Sequence, residues 1–240
     1  MRRRSSYRIM KTVGVLFVFG FGLAVTARAD LTMVQTVEGA GPTTTTMTVK
    51  VKDNMVRIDS SPTVSTIFDA RTGEITNLML DQKKIFRMSA KKLKAAAALL
   101  NQYTAADKKS GGAKPALVAT GKKEKVNGYD TEEYVFDAPT YKASYWVAPQ
   151  YPNGAAIMKQ LELLNSGLFD SQGMYLPDYR SLTGLPIKTV MAIAGNQITS
   201  TLVSVKQDPI AATEFVPPKD FEEMKVPDLG DLLQQHPTKP

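Results

Sequence analysis

The residues that could do nucleophilic or metal chemistry are few in this 240-residue chain. It has no cysteine and a single histidine, His236, which precedes Pro237 near the C-terminus. A serine triad and a histidine-based zinc site both need an imidazole held in a pocket. A thiol nucleophile and a disulfide both need cysteine. We therefore predict no catalytic nucleophile and no metal site, and we interpret His236 as a solvated residue of a tail.

The carboxylates are spaced for structure rather than for acid–base catalysis. Glu132 and Glu133 are adjacent on a predicted strand, so they point to opposite faces and cannot act on one substrate. Other aspartates lie at predicted turns, where Asp bonds its own backbone; these are Asp53, Asp69, Asp81 and Asp130. No glycine-rich phosphate loop occurs in the sequence. We predict a protein that is not an enzyme and needs no cofactor. A carboxylate-only hydrolase is the least favoured alternative.

The first 29 residues have the pattern of a secretory signal peptide. Basic residues at positions 2–11 precede an apolar run over residues 13–25, and Ala27-Arg28-Ala29 is a small-residue cleavage site. The predicted mature chain begins at Asp30. An uncleaved membrane anchor is the alternative, but the apolar run is shorter than the ~20 residues that span a bilayer. We predict export by the secretory route, to the periplasm or the extracellular space.

The basic balance of the whole chain comes mainly from this leader. The leader holds six of the 30 basic residues and none of the 23 acidic ones, so removing it lowers the net charge from +7 to +1. We therefore predict no nucleic-acid partner. The lysines between positions 91 and 125 form one concentrated basic region. That region could meet an anionic membrane surface or an acidic partner, or it could be a solvated face.

Residues 49–88 follow a period of two that turn residues interrupt at short intervals. Apolar side chains alternate with polar ones up to the turns at residues 53–54, 69–73 and 81–84. This pattern is typical of an antiparallel meander. Later, Asn127-Gly128 is a strong hairpin signal between two more predicted strands.

Two helical segments interrupt the strands. One covers residues 89–103, with Ser89 as its N-cap, and the other covers residues 154–164. We predict a mainly β (α+β) fold of about eleven antiparallel strands, in one domain at residues 30–221 with a tail at 222–240. So many strands must curl into a half-open barrel, and the two or three helices must cover one face.

The order of the motifs resembles one family of secreted bacterial proteins. The motifs are Lys52-Asp53-Asn54-Met55-Val56-Arg57-Ile58-Asp59, Ile67-Phe68-Asp69 with Thr72-Gly73-Glu74, Asp81-Gln82-Lys83-Lys84-Ile85-Phe86, Tyr145-Trp146-Val147, Gly184-Leu185-Pro186-Ile187-Lys188 and Phe215-Val216-Pro217-Pro218. This order resembles domain-of-unknown-function family 4412 (DUF4412), within the lipoprotein-carrier LolA/LolB-like superfamily. The resemblance implies a half-open antiparallel barrel with helices over its concave apolar side and lipid chains between. It also implies that a strand arginine, here Arg57, holds a lid by hydrogen bonds to backbone.

These observations predict a non-catalytic periplasmic or secreted protein that holds a lipid or a lipoprotein acyl chain between a concave sheet and helical lids. The expected apolar lining is Val49, Val56, Ile58, Phe86, Leu93, Tyr145, Val147, Ile157 and Met191. Methionines at many predicted core positions suit an adaptable apolar surface, although methionine also fills ordinary cores. The alternative is an envelope scaffold that binds another protein and has no small-molecule ligand.

Overall fold

The computed structural model describes residues 29–39, 44–104, 115–138, 141–165, 177–193 and 195–225, except for the side chains of residues 97, 99–104 and 163–165. Most of the predicted signal peptide, the glycine pair at 111–112, His236 and the tail beyond residue 225 lie outside these residues.

Twelve strands form one sheet. They are β1 (Leu31–Glu38), β2 (Thr45–Lys52), β3 (Met55–Ser61), β4 (Val64–Asp69), β5 (Glu74–Met79), β6 (Lys84–Met88), β7 (Val118–Val126), β8 (Tyr129–Asp137), β9 (Lys142–Ala148), β10 (Leu185–Ile193), β11 (Asn196–Lys206) and β12 (Glu222–Met224). The order across the sheet is β12-β6-β5-β4-β3-β2-β1-β11-β10-β9-β8-β7, so the sheet is open, with β12 and β7 at its edges. The helices are α1 (Ala90–Thr104) and α2 (Gly154–Asn165).

This architecture confirms the predicted mainly β, half-open antiparallel fold with two helices. The predicted count of about eleven strands misses β12, which pairs with β6 in parallel. As a result, the sheet continues into residues 222–224, at the start of the predicted tail. A three-residue strand carries too few residues for its alternation to be recognised in sequence.

Local turn chemistry accounts for the hairpins. Asn127 and Gly128, between β7 and β8, both have positive φ (49° and 84°), as a tight hairpin turn requires. The Asp69 carboxylate accepts a hydrogen bond from the Arg71 amide at 2.8 Å, which closes the turn after β4. At the start of α1, the Ser89 hydroxyl accepts from the Lys92 amide at 3.3 Å, as predicted for an N-cap.

The two faces of the sheet carry separate cores. One face, which we call the helix face, bears Leu31, Val56 and Phe68, and these pack in one cluster with Leu93 of α1 and Ile157 of α2. The opposite face, which we call the outer face, bears Ile67, Leu78 and Ile85, which pack around Phe215. Phe215 ends the 3₁₀ helix Ala212–Phe215, in the chain between β11 and β12. That chain, residues 207–225, is called the C-terminal segment below.

Candidate binding site

The strand register places the predicted lining residues of the sheet on a single face. Val49 pairs with Ile58, and Val56 pairs with Phe68. Residues that pair across two strands lie on the same face of the sheet, and successive residues along one strand alternate between the two faces. The pairings therefore fix the face of every strand residue relative to Val56. The helix face therefore bears all seven strand residues of the predicted lining: Val49, Val56, Ile58, Phe86, Tyr145, Val147 and Met191.

The packing divides these residues into two groups. Val49, Val56 and Ile58 belong to the cluster that includes Leu93 and Ile157. Tyr145, Val147 and Met191 belong to a second cluster over β8, β9 and β10. Phe86 is half-buried and lies in neither cluster. The structure thus brings both helices into the first cluster, which extends from β1–β5 to Leu185, Ile187 and Leu202 of β10 and β11, and α2 contacts β10. A separate apolar cluster lies on β8–β10.

Most of the predicted lining is closed in this structure, since six of its nine residues are buried and Ile58, Phe86 and Met191 are half-buried. Val56 and Val147 are 0% exposed, and Tyr145 is 3% exposed. A cavity of about 340 Å³ lies elsewhere, and its lining includes Tyr129, Tyr151 and none of the nine predicted residues. An acyl chain could therefore reach the buried lining residues that pack with Leu93 and Ile157 only if a helix moved away from the sheet.

Buried, uncharged tyrosines form much of the second cluster. The Tyr145 and Tyr179 rings meet edge to face, with 5.7 Å between their centres. Burial raises the pKa of the Tyr145 phenol, and it raises that of Tyr141 to about 12. Both phenols therefore stay neutral at any physiological pH. The sequence places Tyr179 in an irregular stretch, and the fold brings it onto Tyr145.

Arg57 lies on the outer face, away from both helices. Its Nη1 donates to the backbone carbonyl of Glu214 at 2.9 Å, and its Nε donates to the Asp59 carboxylate at 2.7 Å. Its Nη2 reaches the Ser65 hydroxyl at 3.4 Å. Arg57 therefore does bind a backbone carbonyl, as the family resemblance implies, but that carbonyl belongs to the C-terminal segment and not to α1 or α2.

Charged residues hold the rest of the C-terminal segment against the outer face. Lys50 Nζ lies 2.8 Å from the Glu214 carboxylate. Lys83 pairs with Asp220 at 2.9 Å, and Arg87 pairs with Glu223 at 3.2 Å. Sequence analysis missed this attachment, because each pair joins residues more than 130 positions apart. Local signs were the apolar residues Ile210, Phe215 and Phe221, which pack on the outer face but do not by themselves indicate which strands they contact.

The two adjacent glutamates are arranged as the sequence predicts, whereas Asp130, predicted at a turn, lies in β8 and pairs with Lys125 of β7. Glu132 pairs with Val147 and Glu133 with Trp146, so the two glutamates lie on opposite faces. Glu133 is buried, and its carboxylate accepts from the Thr120 hydroxyl at 2.9 Å. Within the described ranges, no three residues of the His, Cys, Asp and Glu types are grouped to hold a metal ion. None of the helices in the described part of the chain is long and apolar enough to cross a membrane.

Comparison with solved structures finds similar chains at low sequence identity. A structure of PNGF-II is 13% identical with a TM-score of 0.40, and the match covers 86% of this chain and 33% of PNGF-II. This chain thus spans about a third of the length of PNGF-II. The lipoprotein LppX of Mycobacterium tuberculosis is 12% identical with a TM-score of 0.38, over 76% of this chain and 88% of LppX. A LolA superfamily protein from Nitrosomonas europaea is 10% identical with a TM-score of 0.28, over 80% and 90%.

Comparison with sequence families gives a match over most of the chain. Curated proteins give no match. The family model described as a domain of unknown function, DUF4412, matches residues 29–221. That range starts two residues before β1 and includes every strand except β12. The resemblance drawn from the motif order is thereby confirmed, and the chain belongs to the DUF4412 family.

Proposed function

We propose that this protein is a non-catalytic binding protein of the bacterial envelope or exterior, and that it holds an acyl chain between the helix face and α1 and α2. The observation that carries the proposal is the shared orientation of the predicted lining. Seven apolar strand residues lie on one face, and Leu93 and Ile157 of the two helices pack against the same face. Each methylene buried there would contribute about 0.8 kcal/mol, so affinity needs no polar site.

The small apolar contact made by the described side chains of α1 supports a role for this helix as a movable cover. Leu93 is the one fully buried side chain among those that the structure describes in α1. Lys91 and Lys94, on either side of it, are exposed. Among the side chains described in α1, displacement would therefore expose one large apolar group, and an acyl chain could cover that surface again. In α2, Ile157 and Gln160 are both buried.

The position of the first strand supports export with removal of residues 1–29. β1 begins at Leu31, two residues after the predicted cleavage site. The Asp30 carboxylate accepts from Lys52 Nζ at 2.6 Å and from the Ile210 amide at 2.7 Å, so the proposed mature N-terminal residue is bonded into the fold. Among the described residues, cleavage would remove Ala29, whose carbonyl accepts a hydrogen bond from Gln160. The mass of the exported protein tests this, since it should correspond to a chain starting at Asp30.

An envelope scaffold that binds a protein partner is the alternative. β7 is an edge strand, and all of its residues except Val126 are exposed. However, its pairing with β8 is irregular between Ala119 and Lys123, and lysines cover it. Both features are devices that prevent another strand from adding to an edge. The edge therefore disfavours partner binding by strand addition.

The acyl-chain proposal is tested by ligand content and by titration. The chain from Asp30 to Pro240, purified without detergent, should release lipid in native mass spectrometry. Trp146 is the only tryptophan, so energy transfer from it to cis-parinaric acid reports binding directly. Ile58→Ser removes apolar surface from the helix face, and we expect it to weaken binding about tenfold or more.

A matched substitution in the same strand separates this effect from a general loss of stability. Met55 is half-buried like Ile58, but it packs in the outer-face cluster. Met55→Ser should leave the affinity for parinaric acid unchanged. A protein with no bound lipid and no saturable transfer would refute the proposal, as would equal weakening by the two variants.

A further inference from the structure

The sheet opens locally where two neighbouring strands each carry an extra residue. In β11, Val203 is passed over in the pairing with β1, between Leu202 and Ser204. In β10, Ile187 is passed over in the pairing with β9. The pairing between β10 and β11 ends at Lys188 and Thr201. The next residue of β11, Leu202, therefore has no paired residue in β10. Bulges of this kind occur often beside functional sites, where they redirect side chains.

The β7–β8 turn fills part of the opening. Asn127 Nδ2 donates a hydrogen bond of 2.7 Å to the backbone carbonyl of Leu202, which has no ladder partner in β10. The positive φ angles of Asn127 and Gly128 fix the turn that presents this amide. The rim is therefore rigid on both sides, because one wall belongs to a paired strand and the other to a tight turn bonded to it.

The cavity of about 340 Å³ lies in this opening, and its lining is half apolar and half polar in character. Two phenol rings, Tyr129 and Tyr151, lie with their centres 4.9 Å apart, and Ile187 and Leu202 add apolar surface. The hydroxyl-bearing Thr36 and Thr201 supply polar groups beside the Asn127 amide. The volume falls within the range of small-molecule sites in proteins, roughly 300–1,000 Å³.

The lining is also uncharged. None of its residues is acidic or basic. The nearest cation along the strand, Lys188, pairs with the Glu124 carboxylate at 3.0 Å and lies over the Trp146 ring at 5.3 Å, so its charge is already engaged. Burial, followed by the neighbouring Tyr129, raises the pKa of the Tyr151 phenol, which keeps this wall neutral.

We propose that this cavity binds a neutral ring that carries several hydroxyl groups, of the size of one pyranose unit of a saccharide. The aromatic and aliphatic walls match the apolar faces of such a ring, and the threonine hydroxyls match its edge. Thr36 already donates to the Thr201 carbonyl at 3.4 Å and Asn127 to the Leu202 carbonyl, so an alkyl chain would leave the Thr201 hydroxyl without a partner, which costs about 1–3 kcal/mol for a buried group. The described lining offers an anion no basic side chain. This site is separate from the proposed acyl-chain site, because none of the predicted lining residues borders it.

The test is saccharide binding by the full mature chain, measured by saturation-transfer NMR and calorimetry. The probes are methyl β-D-glucopyranoside and methyl N-acetyl-β-D-glucosaminide. Thr201→Val keeps the side-chain shape and removes one hydroxyl, and Tyr151→Ala removes one ring. Each should weaken binding about tenfold or more, the size expected for loss of a buried hydrogen bond or an aromatic contact. The matched control is Thr199→Val, which is half-buried on the same face of the same strand but outside the lining.

Two further measurements compare a longer glycan and an acyl chain with the monosaccharide probes. Chitotriose compared with the monosaccharide probes tells whether the ring is a free sugar or the end of a longer glycan. Sodium decanoate serves as the acyl competitor. Absence of saturable binding by all saccharides would overturn the proposal, as would equal affinities in the wild type and Thr201→Val or displacement of the sugar by decanoate. If Tyr151→Ala does not fold, Thr201→Val alone decides.

Discussion

Replacing Arg57 with methionine should loosen the C-terminal segment and leave the helices in place. Methionine keeps most of the length of the side chain and removes every donor. The substitution therefore abolishes the bonds from Arg57 to the Glu214 carbonyl at 2.9 Å and to the Asp59 carboxylate at 2.7 Å. It also leaves Asp59 with Ser65 and a distant Lys50, 4.0 Å away, as its remaining partners.

The expected loss of stability follows from these bonds. A hydrogen bond that involves a charged group contributes about 1.5–3 kcal/mol to folding. Two good bonds are lost, but the Arg57 side chain is 18% exposed, so water replaces part of the interaction. We expect a loss of about 3 kcal/mol. For a domain of about 200 residues, each kcal/mol shifts the melting temperature by roughly 2–4 °C, so the melting temperature should fall by about 6–12 °C.

Thermal and urea unfolding followed by circular dichroism measure this loss, with Arg87→Met as the control. Arg87 also contacts the C-terminal segment through Glu223 and pairs with Glu74 at 3.1 Å, but its side chain is 37% exposed. Exposed ion pairs contribute about 0–1 kcal/mol each, so this variant should lose less than about 2 kcal/mol. Equal losses in the two variants would show that the burial of Arg57 is unimportant.

Amide hydrogen exchange locates the effect. In Arg57→Met, the amides of Val216 and Glu222, which bond to Thr213 and Lys83, should exchange faster. The amides of Leu93 and Ile157, in the first turns of α1 and α2, should exchange no faster than the loss of global stability requires. Selective loss of protection in the helices would refute our assignment and would favour the lid-holding role that the family resemblance implies.

Two further predictions concern a buried carboxylate and a crowded glycine. Burial would raise the pKa of Glu133, but hydrogen bonds from Thr120 and Ser144 and the charge of Lys122 together lower it below 4.5. The charged Glu133 therefore stabilises the fold above that pH, and this stabilisation is lost as the pH falls through the folded-state pKa. In urea unfolding, the difference in free energy of unfolding between the wild type and Glu133→Gln should shrink between pH 6 and pH 3. A difference that does not change with pH would contradict this. A Cβ on Gly184 would lie 2.6 Å from the Pro149 Cα, so Gly184→Ala should lower the free energy of unfolding by about 1–3 kcal/mol. The control is Gly154→Ala, whose Cβ would make only ordinary contacts and should change the stability very little. Equal melting temperatures of the two variants would refute the clash.

The sequence alone determined the features that depend on neighbouring residues. Asn127-Gly128 specifies its hairpin turn, and Ser89 specifies the start of α1, because each acts on backbone groups within a few positions. The alternation along β2, β3 and β9 is likewise local, and it predicted which residues share a side within each strand. The composition also determined one feature directly, because a chain without cysteine cannot contain a disulfide.

Only the tertiary structure decided which strand faces coincide and what lies on them. Pairing of distant strands places Val56 and Tyr145 on the same face, and it places Arg57 opposite the helices, bonded to a residue 157 positions away. The passed-over residues Ile187 and Val203 open the cavity, and neither has a local signature. Alternation is a property of one strand, whereas register, bulges and long-range partners depend on contacts between strands far apart in the chain.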